Sequence, residues 1–202
     1  MLLICDMSKY LIAAKEKRNS DKGVDYDLSL RDFICQCYVK LAPNTYGKKI
    51  EKYLENNLRG IKVPTCYERG DLLIARKYFE LKVSYLSQEN DSYSITHLRP
   101  WQNFDYYLLC FVDCDDDFKP HFYVIDKFVA SKLTIGYMNG TPKSNKDNSN
   151  IEMRATVKRY SDNFDLIVAA NKLKDTTYQS LLDFIKELRM KSQIISIYKE
   201  CE

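Results

Sequence analysis

Three residues in the middle of the chain have types and spacing suited to phosphodiester chemistry: Asp71, Glu80 and Lys82. They fall in two short apolar runs, Gly70-Asp71-Leu72-Leu73-Ile74 and Phe79-Glu80-Leu81-Lys82-Val83, joined by Ala75-Arg76-Lys77-Tyr78. Strand side chains alternate between faces. Glu80 and Lys82 therefore project from one face, and Leu81 and Val83 from the other, into a core. If the two strands pair as a hairpin, Asp71 lies beside Glu80 and Lys82. Paired carboxylates suit a hard divalent cation such as Mg²⁺. A neighbouring lysine stabilises developing negative charge or helps deprotonate a water. Together these are the parts for metal-assisted phosphodiester hydrolysis. The same residues also fit a solvated hairpin with a surface ion pair worth under ~1 kcal/mol. The strand's apolar continuation, Val83-Ser84-Tyr85-Leu86, favours the site, because charge clustered at the rim of a sheet marks a functional candidate. If the strands do not pair, Glu68 replaces Asp71.

The elements that must position these residues are legible as periodic segments. Helical spacing predicts helices over 2–17, over 28–41 with Phe33, Ile34, Cys37 and Leu41 on one side, and over 45–58 with Asn44 as its cap. Strands are expected over 94–98, 107–112, 121–125, 151–157 and 166–170. Short helices are expected over 101–106, where Pro100 suits the first turn, and over 126–133. The segment 136–150, rich in Gly, Asn, Ser and Lys, reads as a loop, and 176–198 as the longest helix. Strands in the middle with helices at both ends indicate an α/β (α+β) domain around one central mixed β-sheet. A single domain over 1–202 is expected, with a helical N-terminal part at 1–60, a sheet core carrying the candidate residues at 61–135 and a C-terminal loop, strand and helix part at 136–202.

Composition sets the limits. With 202 residues, 45% hydrophobic and 29% charged, the chain is long enough for a substantial core and ordinary for a soluble protein. No run approaches the ~20 apolar residues of a membrane helix, so no membrane partner is expected. Met1-Leu2-Leu3-Ile4-Cys5 meets Asp6 at once and does not read as a signal peptide. Seven cysteines without a Cys-x-x-Cys pair read as reduced thiols in a cytoplasmic protein. Two histidines, His97 and His121, in unrelated contexts argue against zinc hydrolase chemistry. A net charge of +3 permits a nucleic-acid partner without demanding one. The run Asp113 to Asp117 sits at a strand end and reads as a solvated turn rather than a metal cluster.

Two further elements flank the hairpin. Gly47-Lys48-Lys49-Ile50-Glu51 lies on the preceding helix, and Gln102-Asn103-Phe104-Asp105-Tyr106 follows the candidate strands. With Asp71, Glu80 and Lys82, they resemble the signature of the PD-(D/E)xK nuclease superfamily, and the surroundings resemble a small type II restriction endonuclease. The resemblance covers about residues 45–133. Gly70 stands where the pattern has proline. The resemblance implies a restriction-endonuclease-like fold and a Mg²⁺-dependent enzyme that hydrolyses double-stranded DNA. It implies metal binding by Asp71, Glu80, the Leu81 carbonyl and Glu51, and catalytic roles for Lys82, Glu51 and Gln102. Ser84, Arg99 and Tyr106 are implied as DNA contacts. A symmetric cutting site would suggest a homodimer, and restriction activity implies a companion DNA methyltransferase in the host. A structure-selective repair or recombination nuclease and a non-catalytic DNA-binding accessory protein are the alternatives. Base reading is expected in the 136–150 segment through Asn139, Lys143, Asn145 and Lys146, because asparagine pairs with adenine and lysine contacts guanine or phosphate.

Overall fold

A computed structural model describes residues 23–64, 69–87, 89–139 and 151–200. The first helix, α1, spans Leu30–Lys40. Ser29 caps it: its side chain accepts from the Asp32 N–H, and Asp32 in the first turn suits the positive end of the helix. Helix α2 spans Pro43–Asn57. Proline takes the first position, where its missing N–H costs nothing. The cap is therefore Ala42, and Asn44, expected to cap, lies inside the helix.

The β-structure forms two sheets. The larger has five strands: β1 (Ile61–Lys62), β2 (Leu72–Ile74), β3 (Lys77–Tyr85), β5 (Tyr106–Asp113) and β6 (Lys119–Asp126). β1, β2 and β3 form an antiparallel meander, β3 pairs in parallel with β5, and β5 pairs antiparallel with β6. The smaller sheet is antiparallel, with β8 (Ile151–Lys158) between β4 (Ser92–Leu98) and β7 (Ile135–Asn139). Three helices complete the chain: α3 (Lys127–Ala130), α4 (Asp162–Ala170) and α5 (Tyr178–Glu200).

The larger sheet is buried on both faces. On one side Phe79, Leu81, Leu108, Cys110 and Val124 meet Phe33 and Ile34 of α1, Leu54 of α2 and Leu181 of α5. On the other, Tyr107, Leu109, Phe111 and Ile125 meet Ile95, Val157 and Ile167 of the smaller sheet and α4. β5 is thus a central strand covered on both sides, which is why it reads as an uninterrupted apolar run. The layers are helices, mixed sheet, then second sheet with α4: a mixed α/β domain. Burial pushes the Cys37 thiol up to about 12, and Cys35, Cys37, Cys110 and Cys114 form no disulfide among the described residues. No helix among the described residues is long and apolar enough to cross a membrane.

Four expectations are corrected. Residues 101–106 form turns rather than a helix, and Tyr106 already begins β5. Asp105 is the cause: its carboxylate accepts from the Tyr78 N–H at 2.8 Å and pairs with Lys77, and its own N–H donates to the Tyr78 carbonyl. That ties the end of the turn to the first residues of β3. Residues 166–170, expected as a strand, belong to α4, where Ser161 accepts from the Phe164 N–H and Asp162 and Asp165 lie in the first turn. Residues 136–139, expected as loop, continue β7, paired with 151–154 of β8. The remainder of that segment, 140–150, and the expected 2–17 helix lie outside the described residues. The short helix expected over 126–133 is reduced to Lys127–Ala130.

Candidate active site

The β2–β3 hairpin positions the site. Its turn is Ala75-Arg76, with φ of 50° and 62°. Two consecutive left-handed residues match the right-handed twist of paired strands. They set a register of Leu72 opposite Phe79 and Ile74 opposite Lys77. The pairing extends one residue past β2, where the Asp71 N–H donates to the Phe79 carbonyl at 2.8 Å. Asp71 therefore comes level with Glu80. Gly70 makes that approach possible: its φ is +80°, and a Cβ there would lie 2.6 Å from the Phe79 carbonyl oxygen. Proline, fixed near −65°, cannot adopt this conformation. The departure from the proline-containing pattern is thus matched by a different backbone entry into Asp71.

The Asp71 carboxylate turns back on β3, and its Oδ2 accepts from the Leu81 N–H at 2.8 Å. A strand residue's C=O points to the same side as its N–H. The Leu81 carbonyl therefore faces the same edge as Asp71. Glu80 and Lys82 lie opposite Tyr107 and Leu109 of β5 and share the face that looks toward the second sheet. Lys82 Nζ donates to Glu80 Oε1 at 2.6 Å, and the two side chains are only 17% and 12% exposed. A charge-assisted contact of this length inside a half-closed site is far from a solvated surface pair.

Electrostatics ties a fourth side chain to these three. Burial pushes the Asp71 carboxyl up to about 7, with the Glu80 and Glu51 carboxylates adding to the shift; Lys82 and the Leu81 N–H oppose it. Glu51, on α2, is itself raised, first by burial and then by Glu80 and Glu55, against Lys62 and Lys82. Lys62 Nζ stands 3.9 Å from Glu51 Oε1. Three carboxylates and the Lys82 ammonium, with the Lys62 ammonium against Glu51, therefore cluster at the mouth of the hairpin. Among the described residues no group of three His, Cys, Asp or Glu side chains is spaced to hold a metal ion. The donor set nonetheless suits Mg²⁺, which takes one or two carboxylates and fills its remaining positions with waters and phosphate oxygens. Mutual repulsion of Asp71, Glu80 and Glu51 is what a cation would relieve.

The other residues singled out by sequence fall elsewhere. Gln102 lies on the 99–105 turn, where its N–H donates to the Arg99 carbonyl and its carbonyl accepts from Lys127 Nζ at 3.0 Å. The Arg99 N–H donates to the Tyr107 hydroxyl at 3.0 Å. Tyr107 was not anticipated: burial raises its phenol and the Glu80 carboxylate raises it further. The signal was strand alternation, because Tyr107 shares the Glu80 face and Tyr106 does not. Tyr106 packs on the helical side, its ring 5.3 Å from that of Phe79 and 6.2 Å from that of Phe184. Ser84 is buried, and its Oγ accepts from the Ser94 N–H at 2.9 Å, linking β3 to β4. Asn139 ends β7. Lys143, Asn145, Lys146 and Glu68 lie outside the described residues.

The acidic run 113–117 forms a turn. Asp113 Oδ1 accepts from the Asp115 and Asp116 N–H groups, and its Oδ2 pairs with Arg159. Asp116 pairs with Lys119 and Asp117 with Arg31. No protein-family model matches this chain, and no curated protein is significantly similar to it.

Proposed function

We propose that this chain is a Mg²⁺-dependent DNA endonuclease of the restriction type, with a restriction-endonuclease-like arrangement of its mixed sheet. One observation carries the reading: Asp71, Glu80, Lys82 and Glu51 converge at the mouth of the β2–β3 hairpin. Asp71 and Glu80 would hold the cation, with the Leu81 carbonyl as a further oxygen donor. Mg²⁺ bound there supplies Lewis acidity to the scissile phosphate and lowers the pKa of a water.

The protein's own groups do the rest. Glu80 holds the Lys82 ammonium in place. Lys82 is then placed to orient the attacking water and to neutralise charge building on the pentavalent phosphorus, so its contribution falls on the transition state rather than on binding. The Leu81 N–H fixes one Asp71 oxygen and thereby aims the carboxylate. Glu51 adds negative charge from α2, within the field of Glu80 and Lys82. The low exposure of Glu80 and Lys82 limits their contact with bulk water, which strengthens these interactions.

A digest of plasmid DNA with Mg²⁺ tests the proposal. Discrete bands support a sequence-specific restriction enzyme. Cutting confined to branched or flapped substrates supports the structure-selective alternative. Intact plasmid with retained DNA binding supports the accessory protein.

A further inference from the structure

A polar groove of about 440 Å³ runs along the second sheet, lined by Asn90, Ser92, Ser94, Arg154, Thr156 and Lys158. In the β4–β8 pair, Ser92 stands opposite Lys158 and Ser94 opposite Thr156. The alternate residues, Tyr93, Ile95, Ala155 and Val157, fill the core. Arg154, Thr156 and Lys158 therefore lie on the outward face, and with Tyr85 and Ser87 the lining comprises two cations, five hydroxyls and an amide, without a carboxylate. Arg159, one residue on, is occupied by Asp91 and Asp113. Arg154 and Lys158 are exposed and belong to no such pair among the described residues.

The groove meets the strand that carries Glu80 and Lys82: Tyr85, the last residue of β3, and Ser87 line it as well. The Ser94 N–H that donates to Ser84 Oγ brings the edge of β4 onto β3. Ser84 lies two residues beyond Lys82 on the same face, about 7 Å along the strand. That is comparable to the step between successive phosphates of one nucleic-acid strand. A polyanion with a phosphate at Lys82 thus continues into the groove, where cations and uncharged donors suit phosphate oxygens.

We infer that this groove holds the sugar–phosphate backbone of duplex DNA beside the scissile phosphate, with Arg154 and Lys158 each contacting a phosphate. The choice of DNA as the polyanion rests on the nuclease reading above. The test is fluorescence anisotropy of a labelled DNA duplex over a salt series, with Ca²⁺ replacing Mg²⁺ so that binding is read without cutting. Each neutralised phosphate contributes about 0.9 to the slope of log K against log salt. Arg154→Ala with Lys158→Ala together should weaken binding and lower that slope by about 2. Arg154→Gln and Lys158→Gln alone, each removing one charge from an exposed position, should lower it by about 1 apiece, so the answer does not depend on the double variant folding. Unchanged affinity and slope in the single variants would overturn the inference; if the wild type cuts plasmid, the nuclease reading then stands alone. A wild type that binds, loses slope in the variants and never cuts keeps the groove and removes the nuclease. A wild type that does not bind duplex DNA overturns both.

Discussion

Asp71 is the most electrostatically burdened residue of the proposed site, and its titration is measurable without any substrate. Its carboxyl is pushed up to about 7 in the fold by burial and by Glu80 and Glu51, against 3.8 for a free aspartate. The folded state therefore holds a proton that the unfolded chain has released between about pH 4 and 7. Stability from this group is fully present below the unfolded value and is lost as pH rises through about 7. Metal-free protein should lose on the order of 2 kcal/mol from this residue between about pH 5 and pH 8. Asp71→Asn removes the titration, and its amide oxygen can still accept from the Leu81 N–H. Urea midpoints in chelator across that range should show a pH-dependent loss in the wild type that is reduced in the variant. Equal profiles for the two proteins would mean that Asp71 is not held in this environment. Glu80 and Lys82 were legible from alternation alone. The position of Asp71 depended on strand pairing, and Tyr107 was obscured because the tyrosine element drew attention to its neighbour.

At the scale of elements, the hairpin entry is set by backbone conformation. Gly70→Ala places a Cβ 2.6 Å from a backbone oxygen at a φ of +80°. The left-handed conformation alone costs about 1–2 kcal/mol for a residue with a Cβ, and the clash forces the strand end apart. The variant should unfold at lower urea and lose the proposed Mg²⁺-dependent cleavage beyond what its residual fold explains, because Asp71 no longer lies level with Glu80. Retention of both properties would remove glycine from this role.

A second element-scale prediction concerns Asn163 of α4. Its Oδ1 accepts from the Thr134 N–H at 2.7 Å, and its Nδ2 donates to the Thr134 and Thr156 carbonyls at 3.2 and 2.9 Å. It is nearly fully buried. Asn163→Ala leaves these backbone groups unsatisfied and should cost about 2–3 kcal/mol in chemical denaturation; a cost under about 0.5 kcal/mol would contradict the interaction network described. Sequence missed this helix because the 166–170 run is apolar throughout and carries strand-like residues. The deciding signal was upstream, in the Ser161 cap and the acidic first turn, which lay outside the apolar run.

For the whole molecule, sequence order conveyed a mixed sheet between helices, and the long apolar run at β5 marked its centre. It did not convey that a second sheet covers one face. β7 was expected as loop beyond Ile135, and β4 and β8, though expected as strands, lie far apart in the chain, as with Tyr93 opposite Val157. Pairing over such separations leaves no local periodic signal. The second sheet also supplies the wall beside Glu80 and Lys82, so the enclosure of the candidate site follows from topology rather than from any motif.

The central claim is that these four side chains hydrolyse phosphodiester bonds, with Lys82 acting on the transition state. The most direct measurement is Mg²⁺-dependent cleavage of plasmid DNA by the wild type beside Lys82→Ala, with duplex binding in Ca²⁺ and thermal unfolding measured on both. The wild type should cut with Mg²⁺ and not with chelator. Lys82→Ala should fold and bind DNA while cutting at least about 100-fold more slowly, the lower end of what a positioned acid–base group contributes. A wild type inert across double-stranded substrates, or a Lys82→Ala variant that cuts at the wild-type rate, would contradict the account.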